Sequence, residues 1–453
     1  MRAPFVTILS IVTLSIISIL TPRDLAAQSS LRTDPVQAAE VYLNQVQQNL
    51  TQLQSNLPTI TSAAETAAGK LLHPKSRIII LAPPGFDHEL QTRPGAIFPH
   101  KIATQIPESP SRNDIALLIL IPTQPVNNTA DLDQLRKTFT ARIETARTLT
   151  AAGSSVITFT SIAWLDGLEL DLSVIANSSD IIDLTLNNPV PTMQAPDALP
   201  RATSTHLLPL TTAALWTYNT ELFAACTRHG KLPVARQSFE IDTRQKRFYR
   251  YQNQSFHHDR WLDPIPPHKL GKAYINQLKS LTRDLQTASM NDIQQSIYQI
   301  DDAVHRNATI HLKTAGPLLP HFIPHNNIHQ NNIILASNNL TSTTPNIQPW
   351  LNKNPHPNDL IMVLADHQPA WSEAFGDYDE LTRLHQTHVP IIWALEAYNT
   401  YPHELEPTDI LIDKFGFVGD ARLNIPNYDT NLGPTSSFSS LLIYHTLLAP
   451  FTH

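Results

Sequence analysis

The chain has 453 residues, 42% of them hydrophobic and 16% charged, with a formal net charge of −7. That length allows roughly two to three domains, and the acidic balance argues against a nucleic-acid partner. A lone cysteine, Cys226, excludes an internal disulfide, and only 12 glycines leave few places for a glycine-rich phosphate loop.

In chain order, Arg2 followed by the apolar run Pro4 to Leu20 and the small residues Ala26-Ala27 reads as a secretory signal over residues 1–29. The run is short for a membrane span. An uncleaved anchor is the alternative, and no later segment reaches the about eighteen apolar residues that a span needs. Expected localisation is therefore export to the periplasm, with no stable membrane span after cleavage.

Val41, Leu43, Val46, Leu50, Leu53 and Leu57 keep helical spacing and predict helix over Pro35–Leu72, with a break allowed at Pro58. Continuous apolar runs predict buried strands at Arg77–Ala82, Asp114–Ile121, Ser155–Thr160 and Asp180–Leu186, with a helix over Leu132–Ala152 between the second and third. An apolar helix follows Thr203-Ser204-Thr205. The alternation in Phe248-Tyr249-Arg250-Tyr251 predicts a hairpin, and Lys269–Ala288 a helix. The order then recurs: helix Asn291–Arg306, strands at Thr309–Thr314, Asn332–Ala336, Asp359–Ala365, Pro390–Leu395 and Ile410–Ile412, helix Trp371–Thr387, and a final apolar helix after Thr435-Ser436-Ser437. Strands alternating with helices imply parallel sheets covered on both faces. The expected architecture is α/β, with two doubly wound, flavodoxin-like three-layer sandwich domains at 30–229 and 289–453 and a connector at 230–288.

The order of parts resembles the sugar isomerase (SIS) phosphosugar-binding family in a double-SIS arrangement. The resemblance rests on the N-terminal helix, Ile78-Ile79-Ile80-Leu81, the Asp-led strand, Gly153-Ser154-Ser155-Val156-Ile157-Thr158-Phe159-Thr160, and the hydroxyl-rich start of the last helix. It implies a sugar or sugar-phosphate ligand and sugar isomerase-like chemistry, with activity retained or lost left open. Three loops depart from the family, the first reading Ala82-Pro83-Pro84-Gly85-Phe86-Asp87 where the family is glycine- and serine-rich. The loop after the second strand reads Pro122-Thr123-Gln124-Pro125-Val126-Asn127-Asn128-Thr129, and prolines cannot donate N–H groups to a phosphate. Its counterpart in the second half carries Asp366.

Isomerisation needs a base to move a proton and an acid to open the ring. Glu89 is the candidate base and His206 the candidate ring-opening group, each weighed against an ordinary solvated or capping residue. Thr123, Asn127, Asn128, Thr129, Thr203, Ser204, Thr205, Thr435, Ser436 and Ser437 are candidate ligand contacts, and the two hydroxyl clusters can equally cap helices. His321, His325 and His329 lie four apart, but Pro324 disfavours the helix that would align them, so no metal and no cofactor is expected. Asp420 and Arg422 lie in a loop readable as a polar pocket wall or as plain packing. Cys226 reads as a buried structural thiol. Two other classes stay open: a non-enzymatic structural or interaction protein, and a periplasmic solute-binding protein. A homodimer is compatible with each.

Overall fold

The computed structural model describes residues 35–451 apart from 104, 123–128, 167, 169, 171–178, 185–200, 239–240, 242, 317, 323–332, 336–355, 357, 366–384, 397–404 and 417–418. The signal-like segment, the Asp366 loop and most of the helix expected at Trp371–Thr387 therefore lie outside the described residues.

The long N-terminal helix is two helices, α1 (Pro35–Ser55) and α2 (Leu57–Leu71). Pro58 sits in the first turn of α2, where its missing N–H costs nothing. The first sheet follows, from β1 (Ile78–Leu81), β2 (Ile102–Ala103), β3 (Ile115–Leu120), β4 (Ser155–Thr160) and β5 (Ser179–Asp183). Between them lie α3 (Phe86–Thr92), α4 (Thr129–Ala151) and α5 (Ile162–Asp166). After this sheet come α6 (Arg201–Arg228), α7 (Arg244–Tyr251), α8 (Lys269–Thr287) and α9 (Met290–His305). The second sheet comprises β6 (Ile310–Ala315), β7 (Ile333–Leu335), β8 (Leu360–Ala365), β9 (Ile391–Leu395) and β10 (Ile410–Asp413), with α10 (Leu319–Phe322) after β6. A ribbon of β11 (Ala421–Leu423) and β12 (Leu432–Pro434) leads into α11 (Ser436–Leu448).

Both large sheets are wholly parallel. Their orders, β2-β1-β3-β4-β5 and β7-β6-β8-β9-β10, are the same order used twice, the flavodoxin-like 2-1-3-4-5 winding. Neither sheet takes a strand from the other half. One side-chain device recurs as well. Asp114, ahead of β3, accepts the amide of Ser111 at 2.9 Å and that of Arg77, ahead of β1, at 3.0 Å. Asp359, ahead of β8, accepts the amide of His356 at 3.1 Å and that of Thr309, ahead of β6, at 3.1 Å. Each aspartate ties the starts of two neighbouring parallel strands together.

The alternation at Phe248–Tyr251 forms α7 rather than a hairpin strand. As a helix it points Arg247 and Tyr251, one turn apart, inward: Arg247 bonds Asp429 at 3.0 Å, and the Tyr251 ring packs edge-on against His257.

One continuous core joins residues from α1, α2, α6, α8, α9 and α11. The last helices of the two halves, α6 and α11, pack against each other inside it. Buried on every side, they lack an amphipathic stripe. Their buried hydroxyls return to their own backbone: Thr211, Thr212, Thr217 and Thr446 each donate to the carbonyl four residues back. Cys226 is buried within α6, and burial pushes its thiol well up, as a structural role requires. No helix among the described residues is long and apolar enough to cross a membrane.

The halves meet by close backbone approach. A Cβ on Gly95 would lie 2.9 Å from the Leu432 Cα, and one on Gly433, whose φ is +69°, would lie 2.6 Å from Tyr274 Cδ2. Gly433→Ala should therefore lower the stability by about 2 kcal/mol or more, read from the urea midpoint. Gly230→Ala, at a similar φ of +70° but with nothing within 4 Å, should cost only about 1 kcal/mol. Equal losses at the two sites would remove the close-packing argument.

Candidate functional site

Glu89 lies in the first turn of α3, just beyond β1, as the sequence placed it, but it is fully buried. Trp216 Nε1 donates to its Oε1 at 2.8 Å, and Ser437 Oγ donates to its Oε2 at 2.8 Å. Arg93, one turn along the same helix axis, approaches Oε2 at 3.3 Å and donates two further bonds to Ser437 Oγ at 3.1 and 2.6 Å. The guanidinium also reaches Asp420 at 3.5 Å.

Asp420 takes a left-handed backbone conformation, φ +63°. Its Oδ1 accepts the amides of Thr435 and Ser436 at 3.0 and 2.9 Å, and its Oδ2 accepts Ser436 Oγ at 2.8 Å. It therefore caps α11 from a distance, its negative charge facing the positive end of the helix dipole. Thr435 stands at the N-cap position without making a side-chain cap bond. The second hydroxyl cluster is thus buried at the seam between halves: Ser436 serves Asp420, and Ser437 bridges Glu89 and Arg93. A second carboxylate does similar work nearby. Glu221 of α6, fully buried, accepts the amides of His268 and Gly271 at the start of α8 at 3.0 and 2.8 Å, and the Thr61 hydroxyl at 2.9 Å.

His206 is buried in α6, its ring stacked on Tyr42 of α1 with centroids 4.5 Å apart. His445 of α11 lies 6.3 Å from the same Tyr42 ring and 5.1 Å from that of Tyr444. His206 Nδ1, His445 Nε2 and the Tyr444 hydroxyl have no hydrogen-bond partner among the described residues. Burial lowers His206 to about 4; burial, and then the charge of His206, lowers His445 to about 3. Both rings are neutral at pH 7, and no carboxylate among the causes offsets either shift.

The other candidates are scattered. Thr129 is exposed at the start of α4, whereas Thr123, Asn127 and Asn128 lie outside the described residues. Thr203, Ser204 and Thr205 fall within the first turns of α6, which begins at Arg201, and their side chains lie outside the described set. His321 ends up in the short α10, while His325 and His329 lie outside the described residues. No group of three or more metal-ligating side chains occurs among the described residues.

Sequence reasoning missed the buried pair Lys414–Glu396, 3.3 Å apart. Glu396 directly follows β9 and Lys414 directly follows β10, so the pair sits at the carboxyl ends of neighbouring strands, where open α/β sheets place ligands. Position immediately after a strong strand was the available signal. Arg93 was missed too, and its four-residue spacing from Glu89 was the cue.

No family model and no curated protein sequence matches the chain. Solved structures similar to it include the C-terminal domain of glucosamine-fructose-6-phosphate aminotransferase from Francisella tularensis, at 10% identity and a TM-score of 0.46, covering 89% of this chain and 92% of that one. A putative phosphosugar isomerase from Silicibacter pomeroyi is similar at 10% identity and a TM-score of 0.43, with coverage of 90% and 96%. A putative sugar binding protein from Salmonella typhimurium follows at 10% and 0.40, with 91% and 98%. The likeness runs along most of each chain, and the α/β architecture of two five-stranded parallel sheets rests on the strand order itself.

Two outcomes follow from the buried charges. Glu89→Ala removes the nearer carboxylate from Arg93, leaving it Asp420 at 3.5 Å and Ser437, and should cost about 3–5 kcal/mol, whereas replacing the pair together (Glu89→Leu with Arg93→Met) should cost less than the single change. The opposite ranking in urea denaturation would show that Glu89 contributes through packing alone. For the histidines, the folded values lie below the unfolded value of about 6.5, so the unfolded state binds more protons below that pH. Stability should be complete above about pH 6.5 and fall as the pH drops toward about 4 for His206 and about 3 for His445. His206→Phe should flatten that acid limb by up to ~1.4 kcal/mol per pH unit. An unchanged limb in the His206→Phe, His445→Phe double variant would refute the assignment.

Proposed function

We propose that the protein is an exported, double SIS-like protein that binds a sugar or sugar phosphate at the carboxyl ends of its parallel strands, and that it has lost isomerase turnover. The observation that carries the binding half is the doubled 2-1-3-4-5 strand order, which opens a crevice at the β1/β3 and β6/β8 switch points. Sugar-phosphate isomerases and a sugar binding protein are among the similar structures, which is consistent with a ligand of that class. The absence of any exchanged strand between the two sheets favours this reading over a solute-binding protein with crossing strands.

The loss of turnover rests on Glu89. A general base must reach its proton directly or through one water. Here both carboxylate oxygens accept hydrogen bonds inside a dry seam, and Arg93 holds the charge in place. That arrangement serves cohesion between the halves. It also keeps alive the second reading, a non-enzymatic interaction protein that uses the doubled α/β body as a scaffold. Export rests on the residue 1–29 pattern alone.

A thermal-shift screen of the purified protein against sugar phosphates, amino sugars and muramic acid derivatives tests the reading. At least one class should raise Tm, Ser204→Ala should shrink that shift, and no aldose–ketose conversion should appear with the ligand that binds. No shift from any class would leave the scaffold reading standing. Conversion that disappears in Glu89→Gln would restore Glu89 as a base.

A further inference from the structure

α4 packs on β3 and β4 on one face of the first sheet. Between that helix and β1 lies a cavity of about 260 Å³ whose walls include Ile79, Leu81, Ala103 and Ile106, with Ala141 and Arg142 of α4 on the facing side. Ile106 is 53% exposed at its mouth. The cavity runs along the sheet face from Ile79 to Ala82, the residue that directly follows β1, and so reaches the carboxyl end of that strand.

Arg142 is the unusual member. Its guanidinium is half-buried, and its one hydrogen bond among the described residues is a long one, from Nη1 to the Ile119 carbonyl at 3.4 Å. No carboxylate among the described residues lies within ion-pair distance of it. Arg77, Arg93, Arg228 and Arg247, by contrast, each meet one. Burial lowers the Arg142 pKa to about 10, and no negative charge among the described residues opposes the shift. A desolvated cation without a counter-charge is costly, and it presents a planar fork of donors that matches a carboxylate.

We propose that this cavity binds a small aliphatic monocarboxylate, held by Arg142 through a bidentate pair, with its hydrocarbon chain along Ile79, Leu81 and Ile106. The apolar walls would leave the second charge of a phosphate monoester dianion unsolvated, which favours a single charge. The volume falls below the about 300–1,000 Å³ typical of pockets for drug-sized ligands, so the chain is short. Thr145 and Gln105 line the same cavity and are the other polar side chains around the head group among the described residues.

Isothermal titration of the protein with hexanoate, against hexanol and hexylammonium, tests this directly. Hexanoate should bind saturably, and the two analogues at least about tenfold more weakly, because only the carboxylate pairs with the guanidinium. Arg142→Met should weaken hexanoate by about tenfold or more. The same variant should keep or raise the urea midpoint, since it removes an unpaired cation from a half-buried place. Ile106→Trp, at an exposed position, should block the mouth and abolish binding while leaving Arg142 in place. Equal binding of hexanol and hexanoate, unchanged affinity in Arg142→Met, or no saturable hexanoate binding would each overturn the proposal.

Discussion

The seam between the halves depends on a buried chain of charge running Glu89–Arg93–Asp420. Each member is nearly or wholly inaccessible to water, so each must be paired, and the pairing partners come from opposite ends of the sequence. Glu89 and Arg93 belong to α3, whereas Asp420, Ser436 and Ser437 belong to the β11–α11 region. Separating the halves would take Asp420 and Ser437 away from the Glu89–Arg93 pair, which lies within the first half. Gly95 and Gly433 allow the backbones to come close enough for these side chains to meet.

The same geometry explains the hydroxyl-rich starts of the two closing helices. α6 and α11 are buried all round because they form the shared centre of the molecule. Such a helix tolerates Ser and Thr where their hydroxyls can return to the backbone or meet a buried acid. Ser436 and Ser437 meet Asp420 and Glu89. Glu221, also from α6, holds the start of α8. A polar cluster that resembles a ligand cradle in one dimension is, in the second half, part of the internal bonding between domains.

The strands were legible because buried parallel strands are short, continuous apolar runs: Ile115–Leu120 and Ile391–Leu395 were found nearly to the residue. β2 escaped because two residues carry no periodicity, and α7 was misread because alternation over four residues cannot distinguish a strand from one helical turn. Of the candidate site, Glu89 was read as lying just after the first strand, but the helix that carries it and its burial were not legible. Nothing local to Phe86–Thr92 announces that Trp216 and Ser437 converge on it.

The sequence by itself determined the α/β class, the doubled order of elements and the absence of a disulfide, because these follow from local hydrophobic runs, turn residues and a single cysteine. Only the tertiary structure decided that Glu89 is sealed, that Asp420 caps a helix fifteen residues away, and that Arg142 faces a cavity without a counter-charge. Burial and pairing of charge are set by which distant segments meet, and that information resides in the packing of α6 against α11 rather than in any one stretch of chain.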